Sequence, residues 1–295
     1  MKRAAVVANP TKYDDKEKFR DLVCTAMSEH GWDEPLWLET TVDDPGTGQA
    51  RAALAAGVDL VLASGGDGTV TACAAAIAGS GIPLGLIPSG TGNLLARNLG
   101  LPLELDQALV VALAGADRPL DVGRANGKAF IVMAGLGFDA KMLEGASEPL
   151  KRRMGRAAYV FSALHHLHDR PMRVTLRADG RPQLRRRASA VIIGNVGSLQ
   201  AGFPLLPDAE PGDGLLNAVV LTARGWKAWL ALAAHLLLRR QATSRVARIA
   251  FRELRIDVDR PQHWQLDGDV MGSTRQLLIT VQDGKLLIRV PAATA

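Results

Sequence analysis

The feature that most constrains this chain is the run Gly65-Gly66-Asp67-Gly68-Thr69, joined through Ser64 to the apolar stretch Val58 to Ala63 and placed directly before the alanine-rich stretch Val70 to Ala78. A strand that feeds a glycine loop and opens a helix lets backbone amides approach a phosphate with no Cβ in the way, at the positive end of the helix. Thr69 can add a hydroxyl donor. Asp67 needs a reason, because a carboxylate beside phosphates is repulsive unless it binds Mg²⁺, holds the loop or handles a proton. A Gly-Asp-Gly turn closing a strand is also ordinary loop chemistry. The run is neither a Walker A loop, which requires Gly-Lys-Ser/Thr, nor a Rossmann fingerprint.

The surrounding pattern predicts more. Arg3 to Ala8, Pro35 to Thr40 and Val58 to Ala63 read as strands, with helices over Asp14 to His30, Gly48 to Ala56 and Val70 to Ala78. Leu84 to Ile87 is a further strand, and it too ends in a glycine turn, Pro88-Ser89-Gly90-Thr91-Gly92-Asn93, before a helix through Leu94 to Asn98. Alternating βα units of this kind write a parallel sheet. Two glycine loops then share the sheet edge at which α/β folds place their ligands.

The second half changes character. Leu120 to Arg124, Lys128 to Ala134, Met172 to Ala178, Ala188 to Gly194, Leu215 to Leu221, Arg255 to Val258 and Gln276 to Val281 are strand-like runs separated by turn residues. They predict an antiparallel sandwich. Helices are expected over Leu150 to His168 and Arg224 to Arg239. At 295 residues the chain has length for two domains. We expect an α/β protein with an N-terminal parallel-sheet nucleotide-binding domain over 1–125, completed by 285–295, and a C-terminal β-sandwich-like domain over 126–284.

Charge divides along the same line. Residues 1–150 carry 12 Lys and Arg against 19 Asp and Glu, net −7, whereas residues 151–295 carry 23 against 11, net +12. The basic half suits an anionic membrane surface or nucleic acid, or is simply a solvated face. Only 4% of residues are aromatic and no basic and aromatic residues interleave, so stacking on nucleic acid has no support. The two cysteines, Cys24 and Cys73, exclude a disulfide scaffold and a cysteine zinc site. The apolar stretch Trp226 to Leu238 falls short of the roughly 20 residues of a spanning helix, so a cytoplasmic protein is expected.

Taken in order, Asn9-Pro10, the two glycine loops, Asp121-Val122-Gly123, Gly135-Leu136-Gly137-Phe138-Asp139, the Pro207 to Leu216 segment and Asp267-Gly268-Asp269 resemble the diacylglycerol kinase catalytic-domain family. That family includes sphingosine kinases and soluble bacterial lipid kinases. Each motif alone is weak; the ordered set is specific and spans nearly the whole chain. The resemblance implies ATP and Mg²⁺. It implies nucleotide contacts at Asn9, Thr40 or Thr41, the loop residues Gly65, Gly66, Asp67, Gly68, Thr69, Val70 and Thr71, and Gly90, Thr91 and Asn93. Lys12 stands where the family's first loop carries a more flexible residue.

Transfer to an alcohol needs a group to accept the hydroxyl proton. The family commonly carries Asp-Gly-Glu where this chain has Asp267-Gly268-Asp269, and its last acid is the general base. By that resemblance Asp269 is the candidate base, one methylene shorter than usual, with Asp67 as the loop's organising carboxylate. A surface Asp-Gly turn with no chemistry is the alternative. The resemblance likewise implies a structural Mg²⁺ at Glu210, Asp213 and the Leu215 carbonyl, where an ordinary acidic turn is equally compatible.

The expected acceptor is a lipid at an anionic membrane surface, reached by peripheral contact only, with a homodimer left open. Lys151-Arg152-Arg153, Arg156, Arg185-Arg186-Arg187 and Arg239-Arg240 are the basic clusters suited to it. Trp226, Trp229, Leu230, Ala233, Leu236 and Leu237 fall on one helical face, either core or interfacial. His165 and His168 lack an obvious third ligand and read as surface histidines. Kinases of NAD also use a Gly-Gly-Asp-Gly-Thr loop, and a non-catalytic nucleotide or lipid-binding regulator is a third reading, for which the aspartate at position 269 is the best support.

Overall fold

In the computed structural model, the structure describes residues 2–137, 171–199, 203–222 and 246–292. The expected helices over 150–168 and 224–239 lie outside the described residues. So do the basic residues 151–153, 156 and 239–240, the histidines at 165 and 168, and Phe138-Asp139. By contact clustering the chain forms two compact units, Met1–Val122 with Gln282–Ala295, and Gly123–Val281.

The first unit is a parallel sheet. Its strands are β1 (Ala4–Ala8), β2 (Leu36–Glu39), β3 (Leu60–Gly65) and β4 (Leu84–Pro88), in the order β2-β1-β3-β4. The last strand of the chain, β16 (Asp269–Val290), adds a further parallel pairing through Ile288 and Leu84. Its helices are α1 (Lys16–Glu29), α2 (Thr47–Ala55), α3 (Asp67–Ile77), the short α4 (Leu94–Asn98) and α5 (Leu105–Ala114). β1 and β3 are buried on both faces, as crossover helices require. Ala4, Val6, Ala8, Leu60 and Leu62 pack with Phe19, Val23 and Met27 of α1 and with Leu109, Ala112 and Leu113 of α5. The intervening residues point to the opposite face, where α2 touches β1 and α3 touches β3.

The helix boundaries follow from capping. Asp15 accepts a hydrogen bond from the Lys18 amide (2.9 Å) at the start of α1, and Gly31, at φ 75°, follows its end. Asp44 serves α2 from outside the helix. Its carboxylate accepts from the amides of Gly46 (3.2 Å) and Gly48 (2.9 Å), which holds it below the usual carboxylate range. Helix α5 is absent from the sequence reading. Its run Ala108 to Ala114 is almost wholly apolar with Val110-Val111 at the centre, and periodicity cannot distinguish a buried helix of that composition from a strand.

The second unit is antiparallel. β5 (Ala116–Ala125) passes from the first unit into it and pairs with β6 (Lys128–Phe130). β7 (Met133–Leu136) follows, then β8 (Met172–Ala178), β9 (Leu184–Ala188) and β10 (Ala190–Gly194). After the two-residue strands β11 (Ser198–Leu199) and β12 (Phe203–Pro204) come β13 (Leu216–Leu221), β14 (Val246–Phe251) and β15 (Glu253–Leu266). β15 organises the unit. Its first half pairs with β8, its second half with β7, and the register to β16 shifts between Asp257 and Gln262. One strand thereby serves two layers, β9-β8-β15 and β14-β13-β10-β7-β15. Val174 and Leu176, Val191 and Ile193, Ala218 and Val220, Ile256, Trp264 and Leu277 form one core.

The antiparallel β-sandwich-like architecture matches the sequence reading, with different element limits. The expected strand over 128–134 is two strands, β15 extends well beyond Arg255 to Val258, and the runs at 276–281 and 285–290 are both parts of β16. β9 and β14 were not foreseen, since Arg185-Arg186-Arg187 carries no apolar alternation. Among the described residues no helix is long and apolar enough to cross a membrane.

Cys73 of α3 is fully buried against Gly46, where a Cβ would sit 3.0 Å from its sulfur. Burial, and secondarily the Asp44 carboxylate, pushes its thiol up to about 12. A thiol reagent should therefore modify half-buried Cys24 in the native protein and reach Cys73 only on unfolding; equal native rates would contradict this packing. Asp44→Ala should lower the melting temperature at neutral pH. Because the folded state depresses the Asp44 pKa, its stabilisation is present above the ordinary carboxylate range and lost as pH falls through the folded value. The gap between variant and wild type should accordingly close on acidification.

Candidate phosphate-binding site

β3 and β4 are adjacent and parallel, with Gly65 level with Pro88, so both glycine loops leave the same sheet edge side by side. The Ser89 amide donates to the Gly65 carbonyl (3.0 Å), continuing the ladder past the strand ends. Beyond it the loops meet backbone to backbone: a Cβ on Gly90 would lie 2.6 Å from Gly66 Cα. Glycine at position 90 is thus required by the loops' contact, whereas a Cβ on Gly66 would sit at an ordinary 3.5 Å from Gly90 Cα.

Asp67 closes the contact. One carboxylate oxygen accepts the Leu94 amide (2.6 Å) at the start of α4, and the other lies where a Cβ on Gly92 would be, 2.3 Å away. Asn93, in the left-handed region at φ 48°, accepts from the Gly90 amide (3.0 Å) and donates to the Gly90 carbonyl (2.7 Å). Of the three roles open to Asp67, the structure displays the holding role. Thr91 is exposed at the turn's tip.

α3 begins immediately at the loop. Gly66 is its N-cap without a side-chain cap, and the first helical bond runs from the Val70 amide to the Gly66 carbonyl (3.1 Å). The amides of Asp67, Gly68 and Thr69 have no partner among the described residues. Gly68 is exposed, and a Cβ there would meet nothing within 4 Å. Three free donors at the positive end of an 11-residue helix, with open space at Gly68, are a set suited to an anion. Thr69 is 3% exposed and folds its side chain against Gly65; Val70 is buried and Thr71 half-buried.

The neighbouring strands bring Asn9, Thr40 and Thr41 to the same edge. The Asn9 amide donates to the Ser64 carbonyl (2.8 Å), and its side-chain oxygen accepts from the Thr11 amide (3.1 Å) and hydroxyl (2.8 Å). Buried Thr40 donates its amide to the Ala8 carbonyl (2.9 Å), while exposed Thr41 accepts from the Asp44 amide (3.0 Å). Lys12 is exposed in the short 3-10 turn Pro10–Lys12.

Sequence reasoning overlooked Tyr13. Its hydroxyl hydrogen-bonds both Ser64 and Ser89 (3.0 Å to the latter), the residues that precede the two glycine loops. Burial raises its pKa, and the two serine hydrogen bonds oppose that rise. The ring stacks on Phe19 at 3.6 Å. A findable signal was the repeated Ser-Gly at both strand ends, Ser64-Gly65 and Ser89-Gly90.

In the second unit Asp267 and Gly268 form a two-residue hairpin turn between paired Leu266 and Asp269, both turn residues having positive φ. The Asp267 carboxylate accepts the amides of Ile131 (2.8 Å), Val132 (2.9 Å) and Met133 (2.8 Å). Its own amide donates to the Met133 carbonyl (2.8 Å), and the Gln265 side chain accepts from the Gly268 amide (2.8 Å). Asp269, two residues on, is exposed, and its carboxylate has no hydrogen-bond or ion-pair partner among the described residues. The two carboxylates therefore differ: Asp267 anchors the turn and Asp269 is held out, unpaired.

At the other acidic loop, Asp213 accepts from the Leu215 amide (2.8 Å) through one oxygen, and its amide points at the Glu210 carbonyl (3.4 Å). Among the described residues no three His, Cys, Asp or Glu side chains gather. The described residues of this loop thus offer one carboxylate oxygen with backbone carbonyls, a set that fits a largely hydrated Mg²⁺.

The chain is similar to known proteins over both of its halves. Residues 3–125 match the model of the diacylglycerol kinase catalytic domain, and residues 132–289 match that of the YegS C-terminal NAD kinase beta sandwich-like domain. The chain is 31% identical to the diacylglycerol kinase of Bacillus subtilis over 75% of its own length and 74% of the relative's. It is 36% identical to the diacylglycerol kinase of Mycobacterium tuberculosis over 56% of each chain. The chain spans little more than half the length of several other curated relatives, from Synechocystis, Klebsiella and Pseudomonas, at 52% to 58%. In fold it follows the crystal structure of a diacylglycerol kinase from Bacillus anthracis, with a TM-score of 0.77 at 22% identity over 98% of this chain and 96% of the other. With both family models matched in order over nearly its whole length, the chain belongs to the diacylglycerol kinase catalytic-domain family, in the lineage that carries a YegS-type second domain.

Proposed function

We propose that this chain is an ATP-dependent lipid kinase that transfers the γ-phosphoryl group of ATP to the hydroxyl of diacylglycerol or a related lipid, forming phosphatidic acid or its analogue. The observation that carries the reading is the row of free amides at Asp67, Gly68 and Thr69, opening a helix beside a second glycine loop. Relatives named as diacylglycerol kinases supply the acceptor class. Asn9, Thr40, Thr41, Gly90 and Thr91 lie at the same sheet edge and are the further nucleotide contacts.

In the step itself the acceptor oxygen attacks the γ-phosphorus, the bond to the β–γ bridging oxygen breaks, and ADP departs. The hydroxyl proton passes to the Asp269 carboxylate, which its exposure and lack of a partner leave able to take it. Mg²⁺ carried by the nucleotide neutralises charge on the phosphates. Asp67 acts on this step by holding the loop's shape. At the second acidic loop a structural Mg²⁺ would be held by Asp213 and by the Glu210 and Leu215 carbonyls, and it takes no part in the step. We assign the protein to the cytoplasmic side of a membrane, touched peripherally.

The test is incubation of the pure protein with γ-labelled ATP, Mg²⁺ and either diacylglycerol vesicles or NAD, the latter because the second-domain model is described as NAD kinase-like. Labelled phosphatidic acid is expected, and label in NAD alone overturns the proposal. Asp269→Ala should abolish transfer while melting and ATP binding stay unchanged; near-normal turnover removes Asp269 from the chemistry. Asp267→Ala should instead lower stability by several kcal/mol, since three part-buried amide hydrogen bonds to one charged group are lost at about 1.5–3 kcal/mol each. Mg²⁺ should raise the melting temperature of the wild type more than that of Asp213→Asn, and equal shifts exclude a site in that loop.

A further inference from the structure

The run Arg185-Arg186-Arg187 reads as one basic patch in sequence, but a strand sends successive side chains to opposite faces. β9 pairs with β8 in the register Arg173↔Arg187, Val174↔Arg186, Thr175↔Arg185. Val174 is core and Arg173 is exposed, so Arg187 and Arg185 share the outer face with Arg173, while Arg186 falls on the side of the core at the sheet's edge. The structure splits the triplet and completes its outer part from another strand.

Two like charges directly opposite each other across an antiparallel pair are destabilising. Arg173 and Arg187 hold that relation, with Arg185 two residues along. Nearby arginines are ion-paired: Arg177 and Arg255 share Asp257, and Arg260 meets Asp259. Asp259 also accepts the backbone amide of Arg173 (3.1 Å). The side chains of Arg173, Arg185 and Arg187 have no ion pair or hydrogen bond among the described residues. Among the described residues β9 pairs only with β8, which makes this an edge, and β8 and β9 carry no aromatic side chain.

We infer that the outer face of the β8–β9 edge, through Arg173, Arg185 and Arg187, docks the protein on an anionic phospholipid bilayer. This deepens the lipid-kinase reading and rests on it for the choice of a bilayer as partner. Unneutralised guanidinium groups on one sheet face present a flat row of phosphate-matching donors. Such a row attracts an anionic headgroup layer at short range and is screened by salt. The absence of aromatic side chains from these strands removes base stacking, which single-stranded nucleic acid would use.

The experiment is sedimentation of the full chain with vesicles of phosphatidylcholine alone or mixed with phosphatidylglycerol, at low and high salt. Wild type should sediment with the mixed vesicles at low salt only. Arg173→Glu combined with Arg187→Glu should weaken that binding by roughly tenfold or more, with melting unchanged. Arg186→Glu, a neighbour of the same charge on the other face, should weaken it far less. Equal weakening by Arg186→Glu would show that only net charge matters and would overturn the inference. So would vesicle binding indifferent to the double variant, or duplex DNA binding that the double variant abolishes in a protein that ignores vesicles. Phosphorylation of a dispersed short-chain diacylglycerol, measured alongside, separates the two readings. Docking fails alone if the face is inert while that substrate is phosphorylated. The kinase reading fails alone if no form phosphorylates it while the vesicle pattern holds.

Discussion

Gly66 and Gly90 touch through their backbones, and the Asp67 carboxylate fastens that contact by accepting the Leu94 amide. Much at this sheet edge depends on it. Without a Cβ at Gly90, the turns after β3 and β4 can lie against each other. Because they do, α3 and α4 start close together, and the amides of Asp67, Gly68 and Thr69 are left without a partner among the described residues, with open space at Gly68. A charged hydrogen bond between loops is a stronger tie than a neutral one. Its position explains how an acid can sit inside a candidate phosphate site: one oxygen is engaged by an amide and the other is packed against Gly92.

A second layer of support lies beneath. Tyr13 joins the serines that precede the two loops, and its ring stacks on Phe19 of α1, which belongs to the unit's core. The loops are thus tied at their tips by Asp67 and at their roots by Tyr13, so the amide row keeps its shape through contacts with rigid elements. That is the usual requirement for precise positioning of a transferred group.

The hairpin at Asp267 follows the same logic in the second unit. Three amides of the 131–133 turn converge on one carboxylate, and this fixes the position of a two-residue turn whose next residue is the exposed Asp269. An Asp-Gly-Asp sequence contains two acids that look equivalent. Their difference is one of neighbours 135 residues or so away in sequence, which only the fold brings close.

By itself the sequence determined what depends on local order: a parallel α/β half followed by an antiparallel half, two glycine loops ending consecutive strands, and the ordered motifs that mark the family. These are legible because period, turn residues and spacing are written along the chain. Tertiary structure decided what depends on distant partners. It gave Asp67 its holding role, made Asp267 an anchor, recruited Tyr13 to both loop roots, and built a helix from the apolar run at α5. It also divided Arg185-Arg186-Arg187 between two faces and set Arg173 opposite Arg187, because a strand's pleat and register, not its composition, decide which side chains stand together.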